Sequence, residues 1–122
     1  VDMVVWALKN AIGSEIFVPK IPSYKITDMA KAIAPDCKIK IVGIRPGEKI
    51  HEEMISVNDS ESTVEIGNYY AILPQGDEAV RKKYLSKNNT KVVKPEFAYS
   101  SDTNKHFLSV AQIKKLIKDF QK

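Results

Sequence analysis

Apolar side chains recur at every third or fourth position in three stretches of the chain, and this spacing predicts three amphipathic helices. The first covers residues 2–12 and is ended by Gly13, since glycine is favoured just after a helix. The second begins at Thr27, an N-cap residue, and ends before Pro35. Ser109 caps the third helix, which runs toward the C-terminus. Its apolar face consists of Ile113, Leu116, Ile117 and Phe120.

Shorter apolar runs between these helices predict strands. Residues 15–18 form a run that is typical of a buried strand, and residues 38–44 alternate like a strand with one solvent-facing side. Residues 63–73 predict one strand or a hairpin around Gly67-Asn68. Residues 91–97 are expected to be extended.

The remaining segments predict a turn at residues 45–48, a short helix over residues 49–55 and polar loops. Residues 58–62 form one such loop, and residues 74–89 form another with one helical turn. The whole pattern predicts an α/β chain of the mixed α+β kind. Its helices and strands do not alternate regularly enough to build a full doubly wound parallel sheet.

Composition narrows the class of protein without fixing its function. The chain has 122 residues, of which 43% are hydrophobic and 28% are charged, which is typical of a globular domain. It has neither a bilayer-spanning apolar stretch nor a signal peptide, and we expect no membrane partner. The single cysteine, Cys37, excludes an internal disulfide and fits a cytoplasmic protein.

The positive charge of the chain leaves a second class of partner to consider. The net charge is +4, which favours polyanions, and a basic polyanion-binding domain is therefore one hypothesis. However, the lysines are interspersed with acidic residues and no nucleic-acid-binding motif is present. A solvated lysine-rich surface is the simpler interpretation, and we expect no nucleic acid as partner.

Several kinds of catalytic and cofactor chemistry are missing from the sequence. A dinucleotide-binding loop needs closely spaced glycines before a helix, and no two of the five glycines of this chain are close enough to form one. No tyrosine is followed four positions later by lysine, so the catalytic pair of short-chain reductases is absent. His51 and His106 are too isolated to suggest a metal site. We expect no catalytic, cofactor-binding or metal-binding residues in this chain.

The run from Arg45 to Glu48, with the sequence Arg-Pro-Gly-Glu, is the most informative group of polar residues. An arginine fork suits a diphosphate, since it donates two charge-assisted hydrogen bonds at once. The Glu48 carboxylate suits the two hydroxyls of a ribose, and Gly47 lets the backbone turn between the two side chains. A helix beginning after the turn would add positive potential near the phosphates. The alternative interpretation is a solvent-facing turn whose charges only cap a helix.

Longer motifs around this turn carry a resemblance to a known family. They are EIFVPKIPS at 15–23, KITD at 25–28, IVGIRPGEKIHEEMI at 41–55, FAYSSDTN at 97–104 and FLS at 107–109. Together they closely resemble the C-terminal half of bacterial UDP-N-acetylglucosamine 4,6-dehydratases of the inverting type. The resemblance extends from about residue 2 to residue 118 and is weakest between residues 75 and 93.

The resemblance implies a fold and a division of labour. The family consists of extended short-chain dehydrogenase/reductases, with an N-terminal Rossmann domain and a smaller C-terminal substrate domain. It implies that residues 1–74 belong to the UDP-sugar-binding part and residues 75–122 to a polysaccharide-biosynthesis C-terminal region. The chain starts without methionine inside a periodic stretch, so we expect it to be part of a longer protein. NADP and the catalytic residues would then belong to the missing N-terminal domain, and this chain alone would be inactive.

The same resemblance implies a substrate and the residues that bind it. The substrate would be UDP-N-acetylglucosamine or a related UDP-sugar, and the reaction a C5-inverting 4,6-dehydration used in capsule, O-antigen or flagellin-sugar synthesis. Arg45 would contact the diphosphate and Glu48 the uridine ribose, while Pro19, Lys20 and Ser23 would form a loop beneath the nucleotide. The expected protein partners are the N-terminal Rossmann domain and further copies in a homo-oligomer.

A second hypothesis is a non-catalytic oligomerisation or interaction module derived from the same family. The two hypotheses differ in what they require at residues 45–48. A module that holds no nucleotide has no physical need for both charges of the turn, whereas a substrate domain needs them.

Overall fold

The computed structural model describes residues 1–120, and these residues form short helices and strands in a mixed order. The α-helices are α1 (Asp2–Asn10), α2 (Ile26–Ile33), α3 (Glu78–Leu85) and α4 (Val110–Phe120). The strands are β1 (Ile16–Pro19), β2 (Glu53–Ile55), β3 (Thr63–Ile66), β4 (Tyr69–Ile72), β5 (Thr90–Val92) and β6 (Tyr99–Ser100). A 3-10 helix spans Val57–Ser62. The predicted mixed α and β fold class is confirmed.

The chain divides into two compact units, and neither is continuous in sequence. The first unit contains Val1–Lys20 and Glu53–Tyr99. The second contains Ile21–Glu52 and, among the described residues, 100–120. The predicted boundary after residue 74 separates two regions that are defined by the family resemblance, and not two compact units. This boundary stays a prediction.

A four-stranded antiparallel sheet forms the centre of the first unit, with the strand order β1-β4-β3-β5. Strands β3 and β4 form the predicted hairpin, in which Ile66 pairs with Tyr69 across the two-residue loop. Gly67 has φ +56° at the first loop position, as a type II′ turn requires, and glycine adopts this conformation without strain. Strands β2 and β6 form a separate two-stranded sheet.

One face of the four-stranded sheet carries the core of the first unit. The buried residues of this core are Val64, Ile66, Ala71, Leu73, Val80 and Tyr84. Trp6 of α1 packs against it, since its ring stacks on Tyr69 at 4.1 Å and meets Phe17 edge-on at 5.1 Å. The four-residue strands thus gain stability from aromatic packing across the sheet.

Glu15 and Tyr84 connect the end of α1 to helix α3 within this unit. The Tyr84 hydroxyl donates to Glu15 Oε1 at 2.6 Å, while the amides of Ile12 and Gly13 donate to the two carboxylate oxygens at 2.5 and 2.7 Å. Lys87 Nζ lies 4.5 Å from the centre of the Tyr84 ring. Tyr84 is fully buried, and its hydroxyl group is hydrogen-bonded, as is usual for a buried tyrosine.

These contacts change the acidity of both groups. Burial opposes the charge of Glu15, but the hydrogen bonds from Tyr84, Ile12 and Gly13 outweigh it, and the pKa of the carboxyl group falls below its ordinary value. Burial and the neighbouring carboxylate raise the pKa of Tyr84 well above its ordinary value. The pair therefore consists of a carboxylate and a neutral phenol over the physiological pH range.

Helices α2 and α4 pack against each other in the second unit, where Ile113 and Ala32 are buried. The predicted cap of α4 is confirmed, because Ser109 Oγ accepts from the amide of Gln112 at 3.4 Å and the Ser109 amide donates to the Gln112 side chain at 2.8 Å. Helix α2 begins earlier than predicted. Its N-cap is Lys25, and Thr27 lies inside the helix.

The sequence predictions for residues 38–62 are mostly wrong. Residues 38–44 form no strand, and residues 49–55 form no helix but end in strand β2. Every residue from 35 to 54 is exposed, so no apolar packing compensates the cost of ordering a short helix or strand there. The polar segment at 58–62 belongs to the 3-10 helix, which Ser56 and Asp59 cap reciprocally.

Two further boundaries differ from the sequence predictions. The charged segment 74–89 contains the eight-residue helix α3, because Asp77 accepts from the Val80 amide at 3.0 Å and the helix buries Val80 and Tyr84. Helix α1 ends at Asn10 rather than next to Gly13, since Glu15 binds the amides that follow. Within residues 1–120, no helix is long and apolar enough to cross a bilayer.

Removing the Tyr84 hydroxyl is expected to destabilise the protein. Tyr84→Phe leaves the Glu15 carboxylate without one of its three donors, which costs about 1.5–3 kcal/mol in unfolding free energy for a hydrogen bond to a charged group. Urea denaturation measures this change. The matched control is Tyr24→Phe, which removes the same atom from an exposed ring and should alter stability by less than about 0.5 kcal/mol.

Acid should remove the contribution of Glu15 to stability. Since the folded pKa of Glu15 lies below its ordinary value of 4.5, the contribution is complete above that pH and is lost as the pH falls through the folded pKa. Glu15→Gln should therefore lower stability at pH 7 and flatten the dependence of the urea midpoint on pH below 4.5. An unchanged pH dependence in this variant would contradict the assignment.

Candidate functional site

Residues 45–48 form a type II turn on the surface of the second unit. The Glu48 amide donates to the Arg45 carbonyl at 3.1 Å, which closes the turn. Proline favours the second position of such a turn, and the third requires a positive φ, which Gly47 supplies at +86°. The sequence thus dictates this local structure, and the predicted turn is confirmed.

The two charged side chains of the turn contact each other. Glu48 Oε2 accepts from the Arg45 amide at 2.9 Å, and Glu48 Oε1 lies 3.8 Å from Arg45 Nε. The Arg45 side chain remains 84% exposed and that of Glu48 51% exposed, so solvent screens the ion pair and weakens it. The turn therefore holds a guanidinium and a carboxylate side by side on the surface.

The surroundings of the turn differ from the sequence prediction in one respect. We predicted that the turn follows a strand and opens a helix, but no helix or strand lies between residues 39 and 52. A helix N-terminus therefore supplies no positive potential here. The anion-binding capacity of the turn depends on the Arg45 guanidinium, which offers a planar fork of N–H donors.

Lys20, which is predicted to lie in the loop beneath the nucleotide, has partners of its own within the first unit. Its Nζ donates to Glu65 Oε1 at 2.5 Å and to the Gly67 carbonyl at 2.6 Å. It also lies 5.0 Å from the centre of the Tyr70 ring. Its charge is thus largely compensated by residues of strands β3 and β4 and of the loop between them.

Tyr70 responds to these surroundings. Burial in the first place, and then the negative charge of Glu65, raise the pKa of the Tyr70 hydroxyl above its ordinary value. The ring itself lies 5.1 Å from Phe97 and 5.3 Å from Tyr99. Lys20 therefore belongs to a group of residues that stabilises the sheet.

Pro19 and Ser23 also occupy positions with clear local roles. Pro19 is the last residue of β1 and pairs with Tyr69. The Ser23 amide donates to the His106 carbonyl at 2.8 Å, and the Leu108 amide donates to the Ser23 carbonyl at 2.8 Å. Asn104 Nδ2 donates to Ser23 Oγ at 3.1 Å. Ser23 is thus held by the segment that leads into α4.

The structure brings only part of the predicted site into direct contact. Arg45 and Glu48 touch each other in the second unit, which also contains Ser23. Pro19 and Lys20 belong to the first unit. The roles of these five residues in binding a nucleotide stay predictions.

The partners of two predicted site residues, Lys20 and Ser23, lie far from them in the sequence. Glu65 neutralises Lys20 from a distance of 45 positions in the chain, and nothing local in the sequence indicates this pairing. Asn104 binds Ser23, and its place in the FAYSSDTN motif was a usable signal. Among residues 1–120, no group of three or more His, Cys, Asp or Glu side chains is arranged to hold a metal ion.

Comparisons with known proteins agree with the fold and the motifs. The family described as "Polysaccharide biosynthesis protein" matches residues 1–74. A UDP-N-acetylglucosamine 4,6-dehydratase (inverting) of Campylobacter jejuni subsp. jejuni serotype O:2 is 46% identical over 115 residues, covering 86% of this chain and 33% of that enzyme. A UDP-glucose 4-epimerase of Rickettsia akari is 32% identical, covering 96% of this chain and 35% of that enzyme.

The fold is also found in a solved structure. The X-ray structure of Pen from Bacillus thuringiensis matches 98% of this chain with a TM-score of 0.75 at 27% identity, and the match covers 36% of that protein. The mixed fold is consistent with the C-terminal region of an extended short-chain dehydrogenase/reductase. The chain belongs to the polysaccharide biosynthesis protein family, and its resemblance to the inverting dehydratases is confirmed. It spans about a third of the length of these curated relatives.

The contact between Lys20 and Glu65 should contribute modestly to stability. Both side chains are partly exposed, at 29% and 42%, so we expect a coupling free energy of about 0.5–1 kcal/mol from a double-mutant cycle. The cycle combines Lys20→Met with Glu65→Gln and is measured by urea denaturation. Additive effects of the two changes would show that the pair contributes nothing to the fold.

Proposed function

We propose that this chain is the UDP-sugar-binding C-terminal part of a UDP-N-acetylglucosamine 4,6-dehydratase that inverts C5. The identity of 46% to a dehydratase of that description, over most of the chain, supports the substrate class. The epimerase relative is also named for a UDP-sugar, so the nucleotide is the shared part of the two substrates. The uridine diphosphate is therefore the ligand on which the proposal rests.

The surface turn at residues 45–48 is the observation that carries this proposal. The Arg45 guanidinium lies 3.8 Å from Glu48 Oε1, and most of the Arg45 side chain is exposed. A diphosphate offers the guanidinium two charge-assisted hydrogen bonds, which are stronger than this screened contact. Glu48 Oε2 accepts from the Arg45 amide, and Oε1, once released by the guanidinium, is available to accept from a ribose hydroxyl.

The other predicted contacts have a secondary place in the proposal. Lys20 would have to leave Glu65 or share its charge, so we assign it a smaller contribution than Arg45. Ser23 and Pro19 would shape the loop beneath the nucleotide through their backbone positions rather than through free side-chain donors. Arg45 and Glu48 are accordingly the residues to test first.

The proposal assigns catalysis to sequence outside this chain. In the parent enzyme, NADP would supply the hydride carrier between C4 and C6 of the sugar, water would be lost across C5 and C6, and a proton would return to C5 with inversion. No two of the five glycines of this chain are close enough to form a dinucleotide-binding loop, so a Rossmann domain in the parent would bind the cofactor. In this view the parent is a cytoplasmic homo-oligomer that supplies capsule, O-antigen or flagellin sugars.

The alternative is a non-catalytic oligomerisation or interaction module, and one observation favours it. Glu48 already pairs with Arg45, and Glu65 with Lys20, so the turn and the loop need no anionic ligand to balance their charges. A binding experiment separates the two functions, because an interaction module has no affinity for a nucleotide at this turn.

Titration of the chain with UDP, followed by ligand-observed NMR, tests the proposal. We expect saturable binding with a Kd on the order of 1 mM, weak because part of the usual enclosing pocket is absent. Arg45→Ala should weaken binding about tenfold or more, and Arg45→Lys should restore little of it, since lysine cannot form the bidentate bond. Glu48→Ala should weaken binding of UDP more than binding of pyrophosphate, which has no ribose.

The matched control is Lys83→Ala, which removes a positive charge from an exposed position of α3 in the first unit. Its affinity for UDP should equal that of the unchanged chain. Equal weakening by Lys83→Ala and Arg45→Ala would indicate nonspecific attraction to the net charge, and no binding in any variant would favour the interaction module.

A further inference from the structure

The segment 38–44 has the composition of a strand but none of its hydrogen bonds. It includes four β-branched apolar residues, Ile39, Ile41, Val42 and Ile44, within seven positions. These seven residues form none of the backbone hydrogen bonds found among residues 1–120. Their side chains are all exposed, by 84% for Ile41 and 80% for Val42. An unblocked row of strand-forming residues of this kind is a ready template for pairing.

The distribution of apolar and polar side chains over the two faces of the segment indicates the environment that suits it as a strand. In an extended strand, Ile39, Ile41 and Gly43 lie on one face, and Lys38, Lys40, Val42 and Ile44 lie on the other. The first half of the segment therefore alternates between polar and apolar positions, whereas the second half, from Ile41 to Ile44, is apolar on both faces. Strands with apolar residues on both faces are typical of sheets that are covered on both sides.

This pattern decides between two kinds of partner. Two copies of the segment paired with each other would form a two-stranded ribbon, which leaves both faces of residues 41–44 in water and is marginally stable. An α/β domain with an open sheet edge would pair with the backbone and also cover both faces. Such a domain fits the lengths of the relatives, because about two-thirds of each lies outside its match to this chain.

We infer that residues 38–44 are an unpartnered strand that completes a sheet of an α/β domain contributed by the rest of the parent protein. This inference rests on the proposed function, since it takes that domain to be the one that accompanies the UDP-binding turn. Lys38 and Lys40 lie at the end of the segment that would remain in solvent. Charged residues at such an edge also discourage pairing between copies of the isolated chain.

The position of the segment gives the inference a functional consequence. Ile44 directly precedes Arg45, so pairing of residues 38–44 would fix the backbone that enters the UDP-binding turn. In this chain alone, the turn is closed by its own hydrogen bonds but has no ordered element on either side. Docking of the domain would therefore position Arg45 and Glu48 as well as bury the strand.

Hydrogen exchange measured without nucleotide tests the inference. We compare this chain with the full-length Campylobacter jejuni dehydratase to which it is 46% identical. The amides of residues 38–44 should exchange at nearly the rate of an unstructured peptide in this chain. The aligned amides in the full-length enzyme should exchange at least about 100-fold more slowly, because they are paired there. Fast exchange in both proteins would overturn the inference.

A proline variant with a matched control sharpens this test. Ile41→Pro removes one backbone donor, whereas Ile41→Val keeps the donor and the β-branched shape. In this chain, Ile41→Pro should leave the unfolding midpoint unchanged, because the residue forms no hydrogen bond there. At the aligned position of the full-length enzyme, proline should increase exchange across the segment and valine should not. Equal protection in both full-length variants would overturn the inference.

Three further outcomes separate this inference from pairing between copies and from the proposed function. Protection of residues 38–44 in this chain that rises with protein concentration would assign the segment to pairing between copies, and it would overturn the inference. Loss of UDP binding by the turn, with protection of the full-length segment intact, would contradict the proposed function but support the strand. Fast exchange of the segment in the full-length enzyme, together with specific UDP binding by the turn, would support the proposed function and overturn the strand inference.

Discussion

The hydrogen bonds of the Glu15 carboxylate organise the first unit. Its two oxygens accept from two consecutive amides just after α1 and from the buried hydroxyl of Tyr84 in α3. The carboxylate thus replaces the hydrogen bonds that the chain loses when α1 ends, and it does so next to the first strand of the sheet. Besides this carboxylate, the Asn10 carbonyl at the end of α1 accepts from the Tyr84 hydroxyl at 3.4 Å and from Lys87 Nζ at 3.2 Å. The position of Trp6 over Tyr69 and Phe17 depends on this arrangement of α1.

The second unit has no comparable interaction over much of its length. Its helices α2 and α4 pack together and bury Ile113, while residues 35–52 are exposed throughout. The candidate nucleotide site lies in this exposed stretch and is ordered by a four-residue turn. A site with so little support is poorly fixed before its ligand arrives, and the cost of fixing it reduces affinity. This explains why the chain alone is expected to bind UDP weakly even if every contacting residue is present.

Sequence patterns predicted those parts of the structure in which local chemistry and packing agree. The hairpin at Gly67 and the Ser109 cap follow from local rules, and so does the turn at Gly47. The charged sequence of α3 predicts a loop with one helical turn rather than an eight-residue helix. Residues far away in the chain bury Val80 and Tyr84, and the local sequence does not indicate this burial. The partner of Lys20 was missed for the same reason, since Glu65 comes close only through the pairing of β1, β4 and β3. Pairings between distant segments are fixed by the complete fold and leave no local signal.

The failed prediction of a strand at residues 38–44 has a different cause. The side-chain pattern there is typical of a strand, yet a strand is stable only when a neighbour accepts its hydrogen bonds. The side-chain pattern therefore suits a strand that is paired within a sheet, whereas in this chain the segment is unpaired and exposed to solvent. The two disagree over seven consecutive residues with exposed isoleucines, and the inferred neighbouring strand would remove this disagreement. Because this segment leads directly into Arg45, the inferred neighbour would also order the backbone that enters the candidate site.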